Sequence, residues 1–347
     1  MNRKFWEGKN VLITGATGFK GGWLALSLQM VGAKVTGVGL PAGTNGIFDD
    51  VKLHRLIDMK YVDIRNTQEI VACVKECDPV IIFHLAAQAL VNEGYADPIG
   101  TIKTNVLGTS NLLDAARCLG NLKCFVNVTT DKVYHNYEKV EGYGEKDALG
   151  GRDPYSASKA GSDIVARSYY YSYFKDSGIG LSNVRAGNVL GGGDIGKDRL
   201  VPDFYRAVME QKTLKIRSPS AVRPWQHVLD VVGGYICLAE KMTASPYRYS
   251  SSWNFGPNSK SLITVRDVLT GLSKFLDLPP KISFEQCQSR ETAKLVLKVD
   301  KARQELGWQS KIEFDSCLQM INEIEKPKLT SQLVDGLYKK QISSYFM

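Results

Sequence analysis

Residues 10–23, NVLITGATGFKGGW, decide how the rest of the chain is read. NVLITG has the length and apolarity of a buried strand, and GGWLALSLQMVGA (21–33) has the composition of a helix. Gly15, Gly18 and Gly21 stand between them. In that position Gly15 permits a tight turn, Gly18 lets the backbone approach a pyrophosphate, and Gly21 allows close helix packing. The free N–H groups and partial positive charge of the helix start then favour an anion. The spacing is G-x-x-G-x-x-G rather than G-x-G-x-x-G.

Working outward, short apolar runs alternate with longer helix-period segments. KVTGVGL (34–40), MKYVDI (59–64), VIIFHLAA (80–87) and KCFVNVTT (123–130) read as strands. Helices are expected over 67–77 and 104–120. All-apolar strands alternating with helices imply a parallel sheet covered on both faces, hence an α/β, Rossmann-type doubly wound fold. After residue 190 the elements become shorter and irregular. Residues 1–190 are therefore expected to form the NAD-binding domain, and 191–347 mainly a smaller substrate-binding lobe, with segments crossing between them. Later helices are expected at 264–278, with Thr264 as N-cap, and at 299–307.

Composition narrows the function. The 347 residues are 44% hydrophobic and 23% charged, ordinary for a globular protein. The formal charge of +8 is spread along the chain among acidic residues, which argues against a nucleic-acid surface. Of seven cysteines, Cys73 and Cys77 are the nearest pair, with no second pair or nearby histidine, so no metal is expected. No apolar run reaches the roughly 20 residues a bilayer requires. A cytoplasmic protein without membrane attachment is the expectation.

Two further stretches carry chemistry. In GGRDPYSASKAG (150–161), Asp153 suits an N-cap and Pro154 a first helical position. Tyr155 and Lys159 then share one helix face, where the lysine would lower the tyrosine pKa and make it a general base. Tyrosine with a nicotinamide cofactor implies hydride transfer. TTDKVYHN (129–136) ends the preceding strand at the edge where α/β ligands bind. Beside the Thr130 hydroxyl, Asp131 and Lys132 add an acid and an amine. The region after the second strand, GVGLPAGT, holds neither an acid nor an arginine, which favours NAD over NADP. His84 is expected to pack or bond locally. Ala86 and Ala87 are small enough for a cofactor to lie across them.

Together these residues resemble the extended short-chain dehydrogenases/reductases that act on nucleotide sugars, and within them the CDP-glucose 4,6-dehydratase family. The similarity runs over nearly the whole chain, through TTDKVY, VRAGNVLGGGD, KDRLVPD, RPWQHVLD, WNFGP and ARQELGW. It implies a catalytic set of Thr130, Asp131, Lys132, Tyr155 and Lys159. Tyr155 takes the C4 hydroxyl proton, Lys132 removes the C5 proton or only orients substrate, and Asp131 protonates the departing C6 hydroxyl. The resemblance extends the NAD contacts to Thr17, Phe19, Lys20, Gln88 and Asn105, with Asp63 and Ile64 flanking adenine. It gives CDP-glucose as the favoured substrate, with Gln88, Arg185, Asn188, Lys197, Arg199, Arg223 and His227 as candidate partners. Arg185 and Arg223 are equally readable as structural ion-pair residues. Departures fall at Ala16, Asn92 and His135, the last two beside the expected sugar. A 4-epimerase or reductase, a dehydratase for another sugar nucleotide, and a non-catalytic dinucleotide-binding protein are the alternatives. A homodimer or homotetramer is expected, through helices that include the one bearing Tyr155.

Overall fold

The computed structural model describes residues 1–257, 263–284 and 295–346. Among them, seven strands form one parallel sheet: β1 (Asn10–Thr14), β2 (Lys34–Gly39), β3 (Asp58–Tyr61), β4 (Ile81–His84), β5 (Cys124–Val128), β6 (Gly180–Ala186) and β10 (Ser252–Phe255). Their order is β10-β6-β5-β4-β1-β2-β3. The chain runs outward from β1 through β2 to β3, then returns to place β4 on the other side of β1. That reversal opens a crevice at the carboxyl ends of β1 and β4, the place where doubly wound sheets bind ligands.

The pleat explains why the strands are apolar throughout. Val11, Ile13, Ile81, Phe83 and Val126 enter one core, while Leu12, Ile82 and Phe125 enter the other. Helices Phe19–Met30 and Val228–Ala244 cover the first face; Thr67–Cys77, Gly108–Ala116 and Pro154–Tyr169 cover the second. A third core lies under helices Leu200–Met209, Val265–Ser273 and Phe314–Lys328. Beside it are two short parallel pairs, β7 (Val189–Leu190) with β9 (Gln226–His227), and β8 (Leu214–Ile216) with β11 (Ile282–Phe284).

The doubly wound fold is as expected, with informative differences at element ends. The helix after β1 begins at Phe19, two residues early, and takes in Gly21 and Gly22. A Cβ at Gly21 would stand 2.0 Å from the Gly15 carbonyl oxygen, so the helix can approach its own turn only with glycine there. The expected helix 104–120 instead starts at Pro98, capped by Asp97, and passes through a wide turn at Lys103–Leu107 before ending at Ala116. Asp97–Pro98 is the same cap-and-proline signature as Asp153–Pro154. Thr264 caps its helix in a reciprocal box with Asp267. None of the described helices is long and apolar enough to cross a membrane.

Candidate active site at the carboxyl edge of the sheet

The glycine turn is built for close approach. Gly15 has φ +75°, and its amide donates to the Val38 carbonyl at 2.7 Å. A Cβ there would meet the Ala86 backbone nitrogen at 2.7 Å, so β4's exit passes directly over the turn. Gly18 caps helix Phe19–Met30 with no side-chain acceptor for the first N–H groups. A Cβ at Gly18 would meet only the Gly15 oxygen within 4 Å. Above the turn lies a cleft of about 440 Å³, walled by Thr17, Gly18, Phe19, Ala87, Gln88 and, across from them, the segment from Gly193 to Arg199.

The residues of the opened β5 end meet Tyr155 beside this cleft. Thr130 caps a short 3₁₀ turn, Asp131–Val133, and its hydroxyl donates to Asp131 Oδ1 at 3.0 Å. Asp131 is 3% exposed, and its Oδ2 has no hydrogen-bond partner among the described residues. Burial pushes its carboxyl above the usual range, against the opposing pull of Lys132, the Thr130 hydroxyl and Arg223. A Cβ at Gly187 would lie 3.1 Å from that Oδ2, so glycine keeps the space beside it free of a side chain. Lys132 is half-buried next to it.

Tyr155 and Lys159 occupy one face of helix Pro154–Tyr169, which Asp153 caps through the Ser156 amide at 2.9 Å. Their electrostatics differ from the expectation. Burial raises Tyr155 to about 12, opposed by the Thr130 hydroxyl and Arg199. Lys159 donates to the Val128 carbonyl at 2.8 Å, and burial with the neighbouring Lys20 lowers it to about 7. The lysine is fixed on β5 through the Val128 carbonyl, and Thr130 and Arg199 are groups that oppose the rise at Tyr155. Lys20 reaches the same centre from the dinucleotide helix; burial and Arg199 lower it to about 8, while Asp131 and Asp194 oppose the shift.

Two sequence-derived candidates, Arg185 and His227, are placed in the core, and several others are held by local bonds and packing. Arg185 is 2% exposed and grips Asp163 through two hydrogen bonds of 2.8 Å, with Tyr134, Glu145 and Ser252 satisfying the rest of its fork. It is a core ion pair and not a substrate group, because β6 carries it behind β5. His227 is also buried: Nδ1 caps the Val228–Ala244 helix by accepting from the Leu229 amide at 3.2 Å, its ring meets Trp23 edge-on, and burial lowers it to about 3. Asn105 uses its side chain to clasp the Gln88 backbone and the Ser158 hydroxyl. Gln88 in turn bonds Thr101 and the Leu90 amide. Asp63 is bound by Arg65 at the end of β3, and Ile64 packs under Gly108. Ala86 donates to Thr14, while His84 bonds Thr14 and Thr109 and is neutral.

Arg199 lines the cleft, held by both oxygens of Asp194 at 2.9 and 3.0 Å. Arg223 faces Asp131 electrically. Asn188 is half-buried between β6 and β7, and Lys197 is exposed. Sequence reasoning missed Asp194 and Ser158. Asp194 sits in the glycine-rich loop GGGDIGKD, whose composition marks a turn but does not reveal that its acid orients Arg199.

A glycine turn that fits a dinucleotide, with Thr130 and Tyr155 at the same sheet edge, defines a Rossmann-type enzyme. The chain belongs to the GDP-mannose 4,6 dehydratase family, which it matches over residues 12–321. Over 99% of its length it is 39% identical to CDP-glucose 4,6-dehydratase of Salmonella typhimurium, covering 98% of that protein. It is 30% identical to dTDP-glucose 4,6-dehydratase of Streptomyces antibioticus, with 76% of each chain covered. The fold matches UDP-glucose 4-epimerase of Thermotoga maritima, solved with UDP-glucose, at a TM-score of 0.79 and 23% identity, over 92% of this chain and 99% of that one. UDP-glucuronic acid 4-epimerase of Bacillus cereus, solved with UDP-glucuronic acid and NAD, gives 0.78 and 20% over the same shares.

Proposed function

We propose that this chain is an NAD-dependent CDP-glucose 4,6-dehydratase, a hydro-lyase that forms CDP-4-keto-6-deoxyglucose. The observation that carries the reading is Asp131: a buried carboxyl, raised toward its acid form, with one oxygen unpartnered beside Thr130 and Tyr155. Epimerisation at C4 has no use for such an acid; removal of the C6 hydroxyl does. The 39% identity over 99% of the chain supports CDP-glucose as the substrate.

The glycine cradle fits a dinucleotide, because Gly15 and Gly21 let the β4 exit and the helix close on the turn, and Gly18 heads that helix with no side-chain acceptor for its first N–H groups. Thr17, Gly18 and Phe19 would hold it along the cleft wall, with Lys20 at its inner end. NAD, when bound, supplies a hydride acceptor at C4 and a hydride donor at C6. Tyr155 removes the C4 hydroxyl proton, helped by Thr130 and Arg199. The C4 ketone acidifies the C5 hydrogen, and Lys132, half-buried beside Asp131, removes it or orients the sugar. Asp131 gives its proton to the C6 hydroxyl, which leaves as water. C5 regains a proton once C6 is reduced. The sugar nucleotide lies chiefly against the part after residue 190, where Arg199 and Arg223 offer guanidinium forks suited to a diphosphate.

A second copy of the chain docks on the helix face bearing Ile99, Ile102, Leu107, Ile164 and Tyr171, all at least 43% exposed. Tyr170 and Phe174 of the same helix turn inward. Light scattering that gives a monomer mass would remove this part of the reading.

The deciding experiment incubates the protein with NAD and, separately, CDP-, dTDP-, GDP- and UDP-glucose, followed by mass spectrometry. Loss of one water from CDP-glucose is the expected result. An unchanged mass with a new hexose would indicate epimerisation and overturn the proposal.

A further inference from the structure

The two walls of the cleft meet in a charged cluster far from the reacting atoms. One wall runs through Gly43, Gly46 and Ile47; the other is the segment from Gly193 to Arg199. The Ile47 amide donates to the Gly193 carbonyl at 3.1 Å, joining them directly. Behind this joint stand two C-terminal helices, Phe314–Lys328 and Asp335–Phe346. Glu325 Oε1 accepts from the Gly193 amide at 2.7 Å. Lys328, on the same helix, donates to the Asn45 carbonyl at 2.7 Å and to Asp50 at 3.0 Å, and lies 3.5 Å from Glu325 Oε2. Tyr338, from the last helix, donates to Asp50 at 2.6 Å.

Packing makes the joint rigid. A Cβ at Gly192 would meet Ile324 at 2.6 Å, and one at Gly193 would meet the Tyr338 hydroxyl at 2.4 Å. The Gly192 carbonyl accepts from the Trp23 indole at 3.0 Å. Glu325, Lys328 and Asp50 have side chains only 12, 15 and 10% exposed, so their mutual pairing is shielded from solvent. Burying two acids and a lysine there is costly unless each is bonded, and each one is.

We propose that Glu325 is a positioning residue for the dinucleotide cleft: through Gly193 it fixes the wall that carries Asp194 and Arg199, while its partner Lys328 fixes the opposite wall through Asn45 and Asp50. The C-terminal helices thereby set the width of the cleft. This rests on the reading that the cleft holds a dinucleotide. Glu325 stands outside the cleft lining; its effect is on how well the cleft is pre-formed.

The test is a fluorescence titration with NADH alone, on wild type, Glu325→Leu, Glu325→Gln and Lys328→Met, each also melted thermally. Leucine removes the acceptor for the Gly193 amide, and NADH affinity should fall about 10- to 100-fold, as when a supporting group shifts a site by an ångström. Glutamine keeps an acceptor oxygen and should restore binding. With saturating NAD the leucine variant should recover its kcat, so that the loss sits in affinity. Glu325→Leu with a lower melting point but wild-type NADH affinity overturns the proposal, and so does glutamine failing to rescue. Should the leucine variant not fold, Lys328→Met decides: weakened NADH binding supports the joint, unchanged binding overturns it. No sugar is present in the titration, so a failure to dehydrate CDP-glucose leaves this result standing.

Discussion

Asp131 and Asp163 are both buried, at 3% and 1% exposure, and they are put to opposite uses. Asp163 lies inside helix Pro154–Tyr169, with Arg185 bonded to both its oxygens and Asn183 added to one. Asp131 lies at the mouth of β5, where Thr130 reaches one oxygen and no described residue bonds the other. A carboxylate with every lone pair matched is a fastening between β6 and its covering helix. A buried carboxyl left half-bonded is pushed toward its acid form and keeps one oxygen open. Burial alone does not separate a structural acid from a chemical one; the unmatched oxygen does.

The strongest way to break this contrast is Asp131→Asn. Dehydration should fall roughly 10²- to 10⁴-fold, the range of a positioned general acid, while the urea midpoint holds or rises. A variant that eliminates water at the wild-type rate removes Asp131 from the chemistry. Asp163→Ala should do the reverse, costing about 3–5 kcal/mol of stability by leaving a guanidinium buried and unpaired. Urea unfolding measures it, and an unmoved midpoint would undo the structural half of the contrast.

Stability against pH sharpens it further. The folded-state pKa of Asp131 is raised, so its contribution is present below the ordinary carboxylate range and is lost as pH rises through the folded value. The asparagine variant should therefore gain on wild type as pH increases. His84 and His227 act in the opposite direction. Their folded values fall from 6.5 to about 3, so stability is full above 6.5 and is lost as pH drops through that window. Replacing His84 by glutamine should flatten the acid limb by about 1.4 kcal/mol per pH unit, one proton's worth. The smallest effect belongs to a third aspartate, Asp63, whose partner Arg65 is half exposed. Arg65→Ala should change stability by no more than about 1 kcal/mol.

The fold was legible because glycine and proline have few uses. Gly15 and Gly21 stand where backbone meets backbone, and the apolar strands admit only a sheet covered on both sides. The helix start at Pro98 carried the same signal as the one at Pro154 and went unread, since no chemistry drew attention to it. At the site, Thr130, Asp131 and Tyr155 lie together, while Lys159 is held on the Val128 carbonyl. Arg185 and His227 do not reach it, because a basic or ring side chain on a strand reads the same whether it faces a ligand or a core partner. The partner of Arg185, Asp163, lies 22 residues earlier on a helix, and only the packing of that helix on β6 brings them together. For the same reason Arg199, 44 residues further on, adds to the pull of the Thr130 hydroxyl on Tyr155.

The strand Ser252–Phe255 completes the sheet from a part of the chain that follows the irregular loops. A fragment ending near residue 190 would present β6 as a bare edge with four residues' worth of ladder unpaired, an invitation to pair with its neighbours in solution. Tyr134, just beyond the reacting pair, would lose Asn254, the acceptor of its hydroxyl. The cofactor half is therefore not a portable part: anyone grafting this cradle onto another substrate lobe must carry that late strand along with it.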